Sequence, residues 1–199
     1  MNCRQLAIIG AGGHGRVIAD IAELCGYENI LFFDDKDLPG LTGSVQDVQH
    51  YLNTSDVFVA IGNNEIRKMM TERLGKKPAI LIHPNAVIAH DVTIGNGVAV
   101  MAGAVINPGA RICDGVIINT CCSVDHDCVV GAYSHISVGA HLAGAVCVGE
   151  GAFICAGATV INNTSICDNA VIGAGAVVVK DITEAGTYIG VPARKQALL

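Results

Sequence analysis

From Ala86 to Asp181 the chain divides into sixteen consecutive six-residue units without an insertion. The third residue of every unit is aliphatic, running from Ile88, Ile94 and Val100 to Ile166, Ile172 and Val178. The first is always Ala, Val, Cys, Ser or Thr. Such a period admits few folds. Each unit is too short to bury an apolar face alone, so units must stack. The reading is a β-solenoid in which each hexad forms a short strand and a turn. The third residue points inward onto its equivalents above and below, and the small first residue lets the wall close. Gly and Asn near the hexad ends suit turns of unusual dihedral. Three walls make an 18-residue coil, and sixteen hexads give a little over five coils.

Residues 1–84 carry a different pattern. QLAIIG reads as a buried strand running into Gly10-Ala-Gly-Gly-His-Gly15, and RVIADIAELCG as a helix with Val17, Ile18, Ile21, Ala22 and Leu24 near one side. NILFFDD and DVFVAIG read as further strands, NNEIRKMMTERLG as a second helix, and AILIHP as a short strand leading into the repeats. This is a Rossmann-like βαβ unit on a parallel sheet. The expected organisation is therefore an α/β nucleotide-type domain over 1–84, a parallel β-helix over 85–186, and a cap or tail over 187–199 that covers the open edge of the last coil.

Composition narrows the function classes. The net charge is −6 and no basic run occurs, which argues against a nucleic-acid partner. Half the residues are hydrophobic, yet no uninterrupted apolar stretch is long enough for a membrane span. The start, MNCRQLAIIGAGG, lacks the pattern of a secretory leader, so the expected location is the cytoplasm. The nine cysteines form no C-x-x-C pair and are read as reduced, small apolar fillers, not as a disulfide or zinc framework.

Gly10, Gly12 and Gly15 match G-x-G-x-x-G between a strand and a helix, and Asp34 and Asp35 end the next strand. Glycines there let a phosphate approach backbone N–H groups at the helix N-terminus, and His14 lies within reach of a phosphate or sugar. The alternative is a tight turn without a ligand. Within SVDHDC, His126 falls at an outward turn position between Asp125 and Asp127. A neighbouring carboxylate fixes the tautomer and makes the other ring nitrogen a better base. The alternative is a solvated turn histidine. His135 and His141 occupy outward second positions, where a surface histidine is the plain alternative for both and the reading kept for His141. His50 reads as surface, and His83 and His90 carry no signal. Cys121 and Cys122 are close to His126 in sequence, but neither has a nucleophile's arrangement.

Taken together, GAGGHG with FFDD, AIGNNEIR, IINT, VDHDCVVG, SHISVGA and GVPAR resemble, over almost the full length, the bacterial nucleotide-amino-sugar N-acetyltransferases of the PglD type. These stand within the wider sialic-acid O-acyltransferase-like family of hexapeptide-repeat proteins. The resemblance implies a left-handed β-helix, a homotrimer, acetyl-CoA as co-substrate without a metal, and transfer to the amine of a UDP-linked 4-amino-4,6-dideoxy sugar. It implies His126 as base, Asp127 as the acid that raises its basicity, and Asn119 near the acceptor amine. It implies acetyl-CoA contacts at His135, Gly144, Ala156 and Ala174. The nucleotide sugar would lie along Gly12, Gly13 and His14, with Asp34 and Asp35 near uridine and Gly62 near the sugar. Relatives often carry Glu where this chain has Asp127. Other readings are O-acetylation of sialic acid or a related sugar, a zinc hydratase built on His126, His135 and His141, and a non-enzymatic nucleotide-sugar-binding module.

Overall fold

A computed structural model describes residues 4–196. Cys3 and the last three residues of the expected tail lie outside that range. The chain opens with β1 (Gln5–Ile9), α1 (Gly13–Leu24), β2 (Asn29–Phe33), a 3₁₀ helix (Val45–Tyr51), β3 (Asp56–Val59) and α2 (Asn64–Arg73). The three strands form a parallel sheet in the order β2-β1-β3. The 3₁₀ helix has no counterpart in the sequence reading. It is nucleated by a capping box in which Ser44 and Asp47 satisfy each other's backbone amides.

Along α1 only part of the expected apolar side is buried. Ile18, Ile21 and Ala22 are enclosed, whereas Val17 and Leu24 stay exposed. At 3.6 residues per turn, Val17 and Leu24 each stand about 100° before Ile18 and Cys25, off the contact line.

Seventeen two-residue strands follow, from β4 (Leu81–Ile82) to β20 (Val177–Val178), each pairing in parallel with a strand eighteen residues away along the chain. They make three faces. The first contains β4 and every third strand after it, including β10 (Ile117–Ile118), β13 (His135–Ile136) and β16 (Phe153–Ile154). The second includes β11 (Ser123–Val124) and the third β12 (Val129–Val130). First and third hexad residues stack inside: Ala104, Ile106, Cys122, Val124, Cys128 and Val130 are each no more than 1% exposed. The solenoid is longer than the hexads alone indicate. Leu81–Ile82 adds a rung below, and β21 (Thr187–Ile189) adds one above, giving about six turns. The chain then turns back as β22 (Arg194–Lys195), and Ile182, Tyr188 and Ala193 close the last coil.

Outward second-position residues of most hexads meet solvent, but not on the lower first face. Leu81, Ala99 and Ile117 pack in one cluster with Ile18, Ile21 and Ala22 of α1. The N-terminal domain therefore sits on this face through apolar contact, each such side chain contributing on the order of 1.5–3 kcal/mol. Higher on the same face the outward residues are His135, Phe153 and Val171, which line an open groove.

Candidate active site

His126 lies on the corner between β11 and β12. Its Nδ1 is 2.8 Å from Asp127 Oδ2, and both side chains are mostly exposed. Asp127 adopts a left-handed backbone, φ 59°, which swings its carboxylate back onto the preceding ring. Asp125 Oδ1 is held by Asn107 Nδ2 at 2.7 Å. The bond from Asp127, and secondarily the charge of Asp125, hold the His126 pKa above the ordinary histidine value. With Nδ1 occupied, Nε2 is free to take a proton. One coil higher, Gly144 faces that nitrogen: a methyl group built on Gly144 would collide with Nε2 and come within 2.6 Å of Cε1. The ring occupies the space that glycine leaves.

His135 is not a surface residue; it is 8% exposed on the first face. Its ring stacks on Phe153 at 4.9 Å, and Asn119 Nδ2 lies 2.9 Å from its Nε2. The Asn119 amide is oriented by Thr120, whose backbone N–H donates to Oδ1 at 2.7 Å. Nδ2 must then donate to His135 Nε2, so the proton of the neutral ring is on Nδ1. Burial, then the charge of Arg67 and the proximity of His14, lower the His135 pKa to about 3. Burial and Arg67 lower that of His14 to about 4. Both rings are uncharged at neutral pH.

The glycine turn has the geometry expected of an anion site. The N-cap of α1, Gly12, supplies no side-chain acceptor to the first-turn amides, and nothing lies within 4 Å of a Cβ built on Gly12 or Gly13. Gly15 must be glycine, since a Cβ there would strike the Gly10 carbonyl. Asp34 folds back onto the turn, accepting from Ala11 N at 2.9 Å and Lys36 N at 3.0 Å. Burial opposes its ionisation, but the two amides prevail and its pKa is lowered. Asp35 accepts from Val45 N at 3.0 Å. The aspartates thus brace loops as well as edging the turn. Arg16, Phe32 and Leu38 border a pocket of about 270 Å³ beside Ala11. Gly62 and His135 border the groove of about 550 Å³ on the first face.

Two groups of expected site residues result. His126, Asp127 and Gly144 share one corner. Asn119, His135, Gly62 and, behind them, His14 share the first face, which is opposite that corner. Ala156 and Ala174 are exposed on a third position, the corner between the first and second faces. His141 bonds Ser123 Oγ at 2.9 Å on the second face, so His126, His135 and His141 do not converge within one chain. Among the described residues no group of three or more His, Cys, Asp or Glu side chains is placed to hold a metal ion.

Sequence reasoning missed Arg67. It is 1% exposed, the sole buried residue of α2, and it crosses from that helix to the solenoid. A charged residue in line with Met70 and Leu74 at helical spacing was the available signal.

A Rossmann-like βαβ half docked on a hexapeptide solenoid, with a solvent-facing histidine–aspartate pair on a turn, is the architecture of a β-helix acyltransferase. Residues 5–74 match the family described as PglD N-terminal domain. The acetyltransferase domain of PglB from Neisseria gonorrhoeae, solved in complex with acetyl coenzyme A, is 42% identical, with 97% of this chain and 99% of that chain covered and a TM-score of 0.92. PerB from Caulobacter crescentus, solved with CoA and GDP-perosamine, is 39% identical over 97% of each chain, with a TM-score of 0.91. UDP-N-acetylbacillosamine N-acetyltransferase of Bacillus subtilis is 37% identical over 112 residues. That match spans 50% of this chain and 52% of the Bacillus protein, so the chain covers about half the length of this curated relative. The chain belongs to the PglD-type nucleotide-amino-sugar N-acetyltransferase family, and its solenoid is the left-handed parallel β-helix of that family.

Proposed function

We propose that the protein transfers acetyl from acetyl-CoA to the amine of a UDP-linked 4-amino-4,6-dideoxy sugar. The observation that carries this reading is the His126–Asp127 pair, with Nδ1 engaged and Nε2 open at the solenoid corner. The neutral amine attacks the thioester carbonyl. His126 Nε2 takes the ammonium proton as the C–N bond forms, and Asp127 stabilises the imidazolium. Collapse of the tetrahedral intermediate expels the CoA thiolate, which recovers the proton from His126. Positioned base catalysis of this kind contributes about 10²–10⁴-fold, and holding the two substrates together contributes much of the rest.

In this reading residues 1–84 hold the nucleotide sugar, with Gly12, Gly13 and His14 at the diphosphate, Asp34 and Asp35 toward the uridine, and Gly62 toward the sugar. Residues 85–186 carry catalysis and acetyl-CoA, with contacts from His135, Gly144, Ala156 and Ala174, and Asn119 faces the acceptor. The segment 187–199 serves as cap. The working form is a homotrimer. The support is geometric: the base corner and the first-face groove are on opposite sides of one solenoid, so one active site needs the corner of one copy against the groove of another. Dependence on acetyl-CoA accords with a cytoplasmic enzyme. Among the described residues no helix is long and apolar enough to cross a membrane.

The test is release of CoA thiol with a panel of UDP-, GDP- and dTDP-linked amino sugars, alongside the matching 4-hydroxy sugars. Turnover with a UDP-linked amino sugar, lowered about 10²–10⁴-fold in a folded His126→Ala variant, is the expected result. Turnover of hydroxy sugars alone, or a His126→Ala variant as active as the parent, would overturn the reading.

A further inference from the structure

Arg67 is the only Lys, Arg, Asp or Glu among the described residues that is buried. Its guanidinium makes six hydrogen bonds, all to neutral acceptors. Nε donates to Gly115 O (2.8 Å), Nη1 to Ile61 O and Gly62 O (3.0 and 3.2 Å), and Nη2 to Asn64 Oδ1, Tyr133 O and Ser134 O (2.9, 2.7 and 3.3 Å). No carboxylate pairs with it. A buried cation is ordinarily paired, because the hydration it loses is not replaced by carbonyl dipoles alone. The bonds themselves are informative: they tie Ile61 and Gly62, which follow β3, to Tyr133 and Ser134, which lead into His135. The two histidines that feel this charge, His14 and His135, each bury a ring nitrogen without a well-formed hydrogen bond: Nε2 of His14, and Nδ1 of His135, which faces the Gly62 backbone. One belongs to the glycine turn and the other lines the first-face groove.

We propose that Arg67 is a positioning residue whose missing counter-ion is the ligand, its fixed charge offsetting the diphosphate of a nucleoside diphosphate seated between the glycine turn and the groove at Gly62 and His135. The inference rests on reading the N-terminal domain as the nucleotide-sugar module. Arg67 does not touch the ligand. It acts through the field it projects and through the loops it holds. The chain is acidic overall, so a fixed buried cation adds to what makes this region favourable for a doubly charged group. A neutral nucleoside would gain nothing from that charge, and this difference makes the idea testable.

Asn64→Asp places a carboxylate where Oδ1 now accepts from Nη2, giving Arg67 an internal counter-ion. Asn64 Nδ2 also donates to Gly151 O and Ala152 O at 2.9 and 3.2 Å, and the residue borders the groove; Asn64→Ala removes all these contacts without adding charge and sets the baseline. Binding of UDP, GDP and dTDP is measured by calorimetry, that of the matching nucleosides by NMR titration, and that of acetyl-CoA as a check on the solenoid. The expected result is a diphosphate affinity at least about 10-fold lower for Asn64→Asp than for Asn64→Ala, with nucleoside and acetyl-CoA affinities of the two variants within about 2-fold of each other. Arg67→Gln should behave as Asn64→Asp does, and if it fails to fold the Asn64 pair decides alone. Equal loss of diphosphate and nucleoside, a diphosphate affinity in Asn64→Asp no lower than in Asn64→Ala, or a parent that binds none of the three diphosphates would overturn the proposal. Because binding is read and not turnover, a parent that binds the diphosphate but transfers no acetyl would remove the proposed activity and leave this inference standing.

Discussion

At the residue scale, the chemistry depends on where one proton sits. In the proposed mechanism His126 must be neutral to act as base, so the rate should fall as pH drops through its pKa. Asp127 and Asp125 raise that pKa, which moves the acid limb of the kcat/KM profile upward. Asp127→Asn removes the main cause. The acid limb should shift to lower pH while the plateau falls, since a weaker base is formed and the imidazolium loses its partner. A pH–rate profile checks both, and a limb that stays in place would mean that His126 is not the titrating group. Gly144 provides a second probe. Its φ is not in the left-handed region, so alanine strains no backbone; the three atoms nearest the added methyl all belong to the His126 ring. Gly144→Ala should lower kcat by about 10-fold or more, because displacement of a catalytic group by about 1 Å costs on that order or above. If only the KM for acetyl-CoA rises, Gly144 acts as a CoA contact and not as the seat of the base.

At the element scale, two substructures make separable predictions. A side chain at Gly13 would enter open space, so Gly13→Val should leave the fold intact while obstructing a phosphate that approaches the α1 N-terminus. Calorimetry should register weaker nucleotide-sugar binding with acetyl-CoA binding largely retained; equal losses would contradict a division of labour between the two halves. The junction between α2, the glycine turn and β13 should be acid-labile. His14 and His135 titrate near 4 and 3 in the folded chain, against about 6.5 when unfolded. Between those values the unfolded state binds more protons, so stability falls as pH falls from about 6.5, on the order of 1.4 kcal/mol per histidine per pH unit. Thermal melts at pH 7.5 and 4.5 should show this. A His135→Gln variant should lose less on acidification than the parent.

At the scale of the whole molecule, the proposed base at His126 and the groove at Asn119 and His135 are on opposite sides of one solenoid. His126→Ala and Asn119→Ala chains, each impaired alone, should regain activity when co-refolded with distinct tags, because some mixed clefts then combine an intact corner with an intact groove. Mixed oligomers that form but recover nothing would sink the shared-site arrangement.

The hexad period by itself determined the solenoid, because a third residue that is aliphatic in sixteen successive units can be buried in no other regular way. The glycine turn was equally legible, since Gly10 and Gly15 approach so closely that no side chain fits between them. The His126–Asp127 pair is a contact between neighbours in sequence, and so it too was visible in advance. What depended on distant segments was not. Periodicity labels His135 and Ile117 alike as outward positions, and it cannot say which face another domain will cover. Stacking of adjacent coils paired His135 with Asn119, and only the docking of the N-terminal domain turned that face into an interior, burying His135 and enclosing Arg67. The reason is physical: a repeat specifies which way a side chain points relative to its own coil, whereas burial and charge state are decided by what packs against it.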